Sequence, residues 1–122
     1  MTKNPVSADD AKVFDGFVRT WQQRLNLGDW RIERGRKPAK GGAMATVEFD
    51  EGARLVTYKL GDFGAEAINP ASLEKTAVHE LLHVFLHDLI AAAQDRGSTP
   101  EALETVEHRC INVLERLLAD KS

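Results

Sequence analysis

The stretch from Asn69 to Gly97 constrains this 122-residue chain more than any other. Asn69-Pro70 is helix-opening chemistry: an N-cap side chain, then a residue whose missing N–H costs nothing in the first turn. The helical pattern runs to about Ala93 before Gly97 breaks it. On a helical wheel, Ala77, Val78, Leu81, Leu82, Val84, Phe85 and Leu89 fill one broad arc. His79, Glu80, His83 and His87 crowd into a remaining arc of about 100°. A helix so apolar is expected to be largely buried, and ionisable groups on one strip of it then need something to bind.

His79-Glu80-Leu81-Leu82-His83 has the H-E-x-x-H spacing. Residues four apart on a helix stand one above the other, so two imidazoles reach one metal ion. Zinc takes neutral imidazole nitrogens at about 2 Å, and Glu80 lies on the same side, where it can handle a metal-bound water. His87 repeats the interval but is displaced from His79 by about 12 Å along the axis and about 80° around it. It is therefore expected beside the site rather than in it. Leu86 and Leu89 stand where the extended H-E-x-x-H-x-x-G-x-x-H motif needs Gly and His. A third ligand must come from elsewhere.

The elements around this helix follow from periodicity. Ser7 and Asp10 read as a capping pair opening a first helix over about 8–26, with Gly28 as its stop. Trp30 and Ile32 mark a short strand, and Arg34 to Gly42 is a Gly-, Pro- and Lys-rich loop. Ala45, Val47 and Phe49 alternate with polar residues, Leu55–Leu60 is β-prone, and Asp50-Glu51-Gly52-Ala53 between them is hairpin chemistry. Ala65 to Ile68 reads as a further short strand. Thr99-Pro100-Glu101 opens a last helix ending near Ala119. The expectation is one α+β domain over residues 1–122, with residues 1–6 loose. It has an N-terminal helix, a small, mostly antiparallel sheet of three to four strands, the H-E-x-x-H helix and a final helix.

That final helix offers the third ligand. Leu103, Val106, Cys110, Val113, Leu114, Leu117 and Leu118 form its apolar stripe, and Glu107 falls inside it on the wheel. A carboxylate amid a packing face needs a counter-charge or a metal. Glu104, nearer the stripe's edge, is the lesser alternative, with His87 and His108 behind it. Two histidines, one glutamate and an open fourth position make the ligand set of a catalytic zinc.

Composition narrows the setting. Sixteen Lys and Arg against 19 Asp and Glu leave a net charge of −3, which gives no general reason to expect nucleic acid or an anionic membrane. Arg31, Arg34, Arg36, Lys37 and Lys40 nonetheless form a local basic run. It reads first as a solvated face, and only secondarily as a contact for a phosphate backbone. A single cysteine, Cys110, cannot form an intrachain disulfide, and the polar N-terminus does not read as a signal peptide. Both point to a cytoplasmic setting. No apolar run reaches the length of a membrane span. Asp62-Phe63-Gly64 reads as a turn, and Trp21, Trp30 and Cys110 as packing residues.

Taken together, the H-E-x-x-H helix after a small sheet and a glutamate on the next helix resemble gluzincin-type zinc metallopeptidases. The likeness is greatest to the compact minigluzincins and to small metallopeptidases of phage and prophage genomes. The resemblance implies a zincin-like fold and a peptide or protein substrate lying along an edge strand. It assigns His79, His83 and Glu107 as zinc ligands and Glu80 as general base. It leaves the oxyanion-stabilising or supporting role to Tyr58, His87, His108 or Glu104. A non-catalytic, zinc-stabilised domain binding protein or nucleic acid is the alternative.

Overall fold

The computed structural model describes residues 3–119. Helix α1 (Ala8–Arg24) starts where Ser7 Oγ accepts the Asp10 N–H at 3.1 Å, with Asp9 and Asp10 in its positive first turn. It ends before the expected Gly28: Leu25 is the C-cap, and Asn26 takes the left-handed conformation at φ 56°, a role that Asn fills with little strain. Strands β1 (Arg31–Arg34), β2 (Ala45–Asp50) and β3 (Leu55–Leu60) follow. Helices α2 (Pro70–Gln94) and α3 (Pro100–Ala119) complete the α+β fold. Asn69 and Ser72 cap α2 reciprocally, each side chain bonding the other residue's N–H.

The sheet is mixed rather than mostly antiparallel. Its order is β1-β3-β2, with β2 and β3 an antiparallel hairpin and β1 parallel to β3. The loop after β1 carries the chain past β3 before β2 begins, so the hairpin returns β3 to the centre. Ala65 to Ile68 is no strand. Its polar groups find partners outside the sheet: Glu66 N–H donates to Phe63 O, Ser72 Oγ donates to Ala67 O, and Asn4 Nδ2, from the N-terminal segment, donates to Glu66 O.

Both helices α1 and α2 pack on one side of the sheet. Phe14, Val56, Leu73, Ala77, Leu81 and Val84 are almost wholly buried between these layers. Each large side chain of this kind contributes roughly 1.5–3 kcal/mol by leaving water. Gly61 marks a close approach. Its N–H donates to Met44 O at 2.8 Å, and a Cβ there would stand 2.0 Å from Ala43 O. Because that neighbour is backbone, Gly61→Ala is expected to cost about 1–3 kcal/mol, the range for overpacking. A thermal melt checks this, and an unchanged midpoint would contradict it.

The N-terminal segment is tied down from Asn4, not loose up to residue 6; Met1 and Thr2 lie outside the described residues. Asn4 N–H donates to Asp62 Oδ1 at 2.6 Å, Phe63 N–H donates to Asn4 O, and Pro5 bridges to Asp62. Asp62-Phe63-Gly64 is thus a turn with structural duties, and Phe63 is buried. Donation from the Asn4 and Gly64 amides holds the Asp62 carboxyl below its ordinary value of 3.8. A depressed carboxylate pKa stabilises the fold above the ordinary value, and that contribution disappears as pH falls through the depressed one. Amide exchange at Asn4 and Gly64 should therefore quicken, relative to the core amides, as pH drops below 3.8. A constant ratio down to full protonation would refute that link.

Candidate functional site

Helix α2 carries the motif. Leu73, Ala77, Leu81, Val84 and Phe85 face the core, which turns His79 and His83 to the exposed side. Their rings lie 5.1 Å apart between centroids, in edge-to-face orientation. Glu80, between them in sequence, is only 8% exposed. Burial pushes its carboxyl above the ordinary value, an effect the neighbouring His79 and His83 partly oppose. A largely buried carboxylate beside two imidazoles is a position a cation would suit, because a positive partner offsets part of the cost of charging it.

The expectation that α2 is enclosed needs correction. Leu82, Leu86 and Ile90 are exposed along with the histidines. A 25-residue helix is too long for a three-stranded sheet and two other helices to surround.

A cleft of about 300 Å³ opens beside the motif. His79, Glu80, Thr76 and Lys75 of α2 form one wall, with Met44 and Ala45 at the start of β2 and Glu66 of the turn opposite. β2 is an outer strand of the sheet, so its far edge is not paired within it. Glu66 is a residue that periodicity did not single out; its only sequence signal is a carboxylate a few residues before the helix.

Glu107 is not brought to this cleft. It is exposed, as are Ile111, Leu114 and Leu118 around it. Helix α3 docks by the other edge of its apolar stripe: Val106, Cys110, Val113 and Leu117 are half-buried, and Cys110 Sγ approaches Phe85 O at 3.9 Å. Phe85 lies roughly 120–160° around α2 from His79 and His83, which puts α3 on another side of that helix. Among the described residues, no three His, Cys, Asp or Glu side chains are grouped closely enough to hold a metal ion. The two imidazoles and Glu80 suit zinc by their chemistry; the three-ligand set with Glu107 is not assembled.

The remaining candidates lie elsewhere. His87 stacks on Phe49 at 4.0 Å, meets Trp30 edge-on, and places Nε2 2.7 Å from Glu51 Oε1. It fastens α2 to the hairpin, together with Arg54, whose guanidinium lies 3.7 Å over Trp30 and bonds Asp88 and Asp29. Tyr58 is buried on the β1 side, where its hydroxyl donates to Asp15 Oδ1 at 2.6 Å. Burial and that carboxylate push its pKa well up. His108 and Glu104 are exposed one turn apart, 3.9 Å between nearest atoms. Burial raises the Cys110 thiol, which suits a packing role. No helix is long and apolar enough to cross a membrane among the described residues.

Comparison of the chain with protein-family models, with curated proteins and with solved structures gave no match.

Proposed function

We propose that this chain is a zinc-dependent peptidase of zincin-like design, and that the cleft beside His79 and Glu80 is where peptide bonds are cut. The observation that carries the reading is a pair of exposed imidazoles one turn apart on α2 with the buried Glu80 between them in sequence, His79 and Glu80 lying on the wall of an open cleft. His79 and His83 would hold the metal. Bound zinc makes water more acidic and polarises the scissile carbonyl. Glu80 accepts the proton from the attacking water and passes it to the departing amine.

A peptide substrate would lie extended along the outer edge of β2, whose first residue lines the cleft, and pair with its free backbone groups. The turn at Ala65–Ile68 offers no such edge. The third ligand is proposed to be a carboxylate. Glu66 already borders the cleft, whereas Glu107 would have to arrive with α3 moved from Phe85.

The test is direct. Zinc-loaded chain incubated with an unstructured protein such as denatured casein is expected to yield discrete fragments by mass spectrometry. Chelation should stop the cleavage and added zinc restore it. Cleavage that survives chelation, or none from a chain holding one zinc, would count against the proposal.

A further inference from the structure

Four basic residues, Arg19, Arg34, Arg36 and Lys37, border two hollows on the β1 side of the sheet, at the opposite edge from the histidine cleft. Arg34 and Arg36, in and just after β1, line a cleft of about 430 Å³ that Arg19 of α1 enters from the other wall. Arg34, Arg36 and Lys37 also border a smaller hollow against Ser7 and Ala8. Lys12 shares the α1 face that carries Asp15 and Arg19.

The two carboxylates that line the larger cleft, Asp15 and Glu33, are already engaged. Asp15 accepts from Arg34 Nε at 3.1 Å and from the Tyr58 hydroxyl, while Glu33 pairs with Arg31 at 2.9 Å. Arg19, Arg36 and Lys37 have no ion pair among the described residues. Three cations without an ion pair, Arg19, Arg36 and Lys37, thus stand around these two hollows in a chain of net charge −3. Asp15 also holds Arg34 by its Nε, which lowers the entropy lost when the terminal nitrogens of that side chain contact a ligand. Among the described residues, apolar side chains lining these hollows, such as Ile32, Val6 and Leu60, are half-buried, and no exposed large hydrophobic residue joins them. That absence disfavours a lipid surface or a peptide groove, both of which need an apolar anchor. A phosphodiester backbone needs only positive charge and hydrogen-bond donors, with arginine the residue best shaped for phosphate.

We infer that this face binds the phosphate backbone of nucleic acid through Arg19, Arg34, Arg36 and Lys37, without sequence preference and independently of the histidine cleft. With two or three phosphates neutralised, affinity falls roughly 10- to 50-fold between 50 and 200 mM salt.

A short fluorescein-labelled DNA duplex titrated with the full chain, read by anisotropy at both salt concentrations, tests this. The expected result is measurable binding at low salt with that loss at high salt. R19E/R36E should weaken low-salt binding at least tenfold, and the milder R19Q/R36Q should do so in part, both with unchanged circular-dichroism melts. His79→Ala should bind as the native chain does. The inference is overturned by no binding at low salt, by binding insensitive to salt, or by double variants that bind like the native chain. Tighter binding to phosphatidylserine vesicles or to poly-glutamate than to the duplex overturns it equally, by assigning the face to another partner.

Discussion

Glu80→Gln should reduce peptide hydrolysis by about 10²- to 10⁴-fold, the usual contribution of a positioned general base. The zinc content should not change. The substitution keeps the shape of a side chain that is 8% exposed and removes a charge that burial disfavours. The variant should therefore fold as stably as the native chain or slightly more so. Because stability and chemistry are expected to move in different directions, the outcome separates a catalytic Glu80 from a structural one. Turnover within a factor of a few of native would remove Glu80 from the mechanism, and a lowered melting temperature would mark it as a packing residue.

The second large effect concerns the metal. In the native chain, zinc at a hundredfold excess over its dissociation constant should add about 2.7 kcal/mol of stability by mass action. His79→Ala or His83→Ala should abolish that increment and weaken zinc binding by roughly 100-fold or more, since each imidazole supplies a large share of the site's binding free energy. Both rings are exposed, so neither loss should lower the metal-free melting temperature. The same titration identifies the carboxylate partner. Glu66→Gln weakening zinc while Glu107→Gln leaves it unchanged places the third ligand in the turn before α2. The reverse result means that α3 is displaced from Phe85 when metal binds. A zinc-induced rise in melting temperature that persists in His79→Ala would exclude the motif as the site.

Much of the fold was legible because local chemistry decided it. Ser7 with Asp10, Asn69 with Pro70 and Asp50-Glu51-Gly52-Ala53 each specify a helix start or a hairpin turn within a few residues, and each is found where expected. The parallel pairing of β1 with β3 was not legible, because it depends on where a ten-residue loop crosses, and no residue in that loop encodes the direction. Ala65–Ile68 is β-prone by composition, yet Ser72 and Asn4 claim its carbonyls. Tertiary partners overrode propensity there.

The candidate site divides in the same way. His79, Glu80 and His83 sit on a single helix, so their mutual geometry follows from a period of 3.6 residues alone. Glu107 belongs to another element. A wheel gives angles within α3 but not which edge of a broad apolar stripe meets α2, and the Cys110 edge, not the Leu114 edge, does so. Tyr58 was equally beyond reach: alternation says which face of β3 it takes, not that Asp15 of α1 stands within hydrogen-bond distance.

His79 and His83 are proposed to bind one metal ion together. Zinc K-edge X-ray absorption on protein holding one zinc per chain tests it most directly. The expected spectrum shows the scattering of two imidazoles with oxygen completing the shell and no sulfur, and H79A/H83A loses the imidazole signal. Failure to load stoichiometric zinc, or an imidazole signal that is unchanged in the double variant, would contradict it.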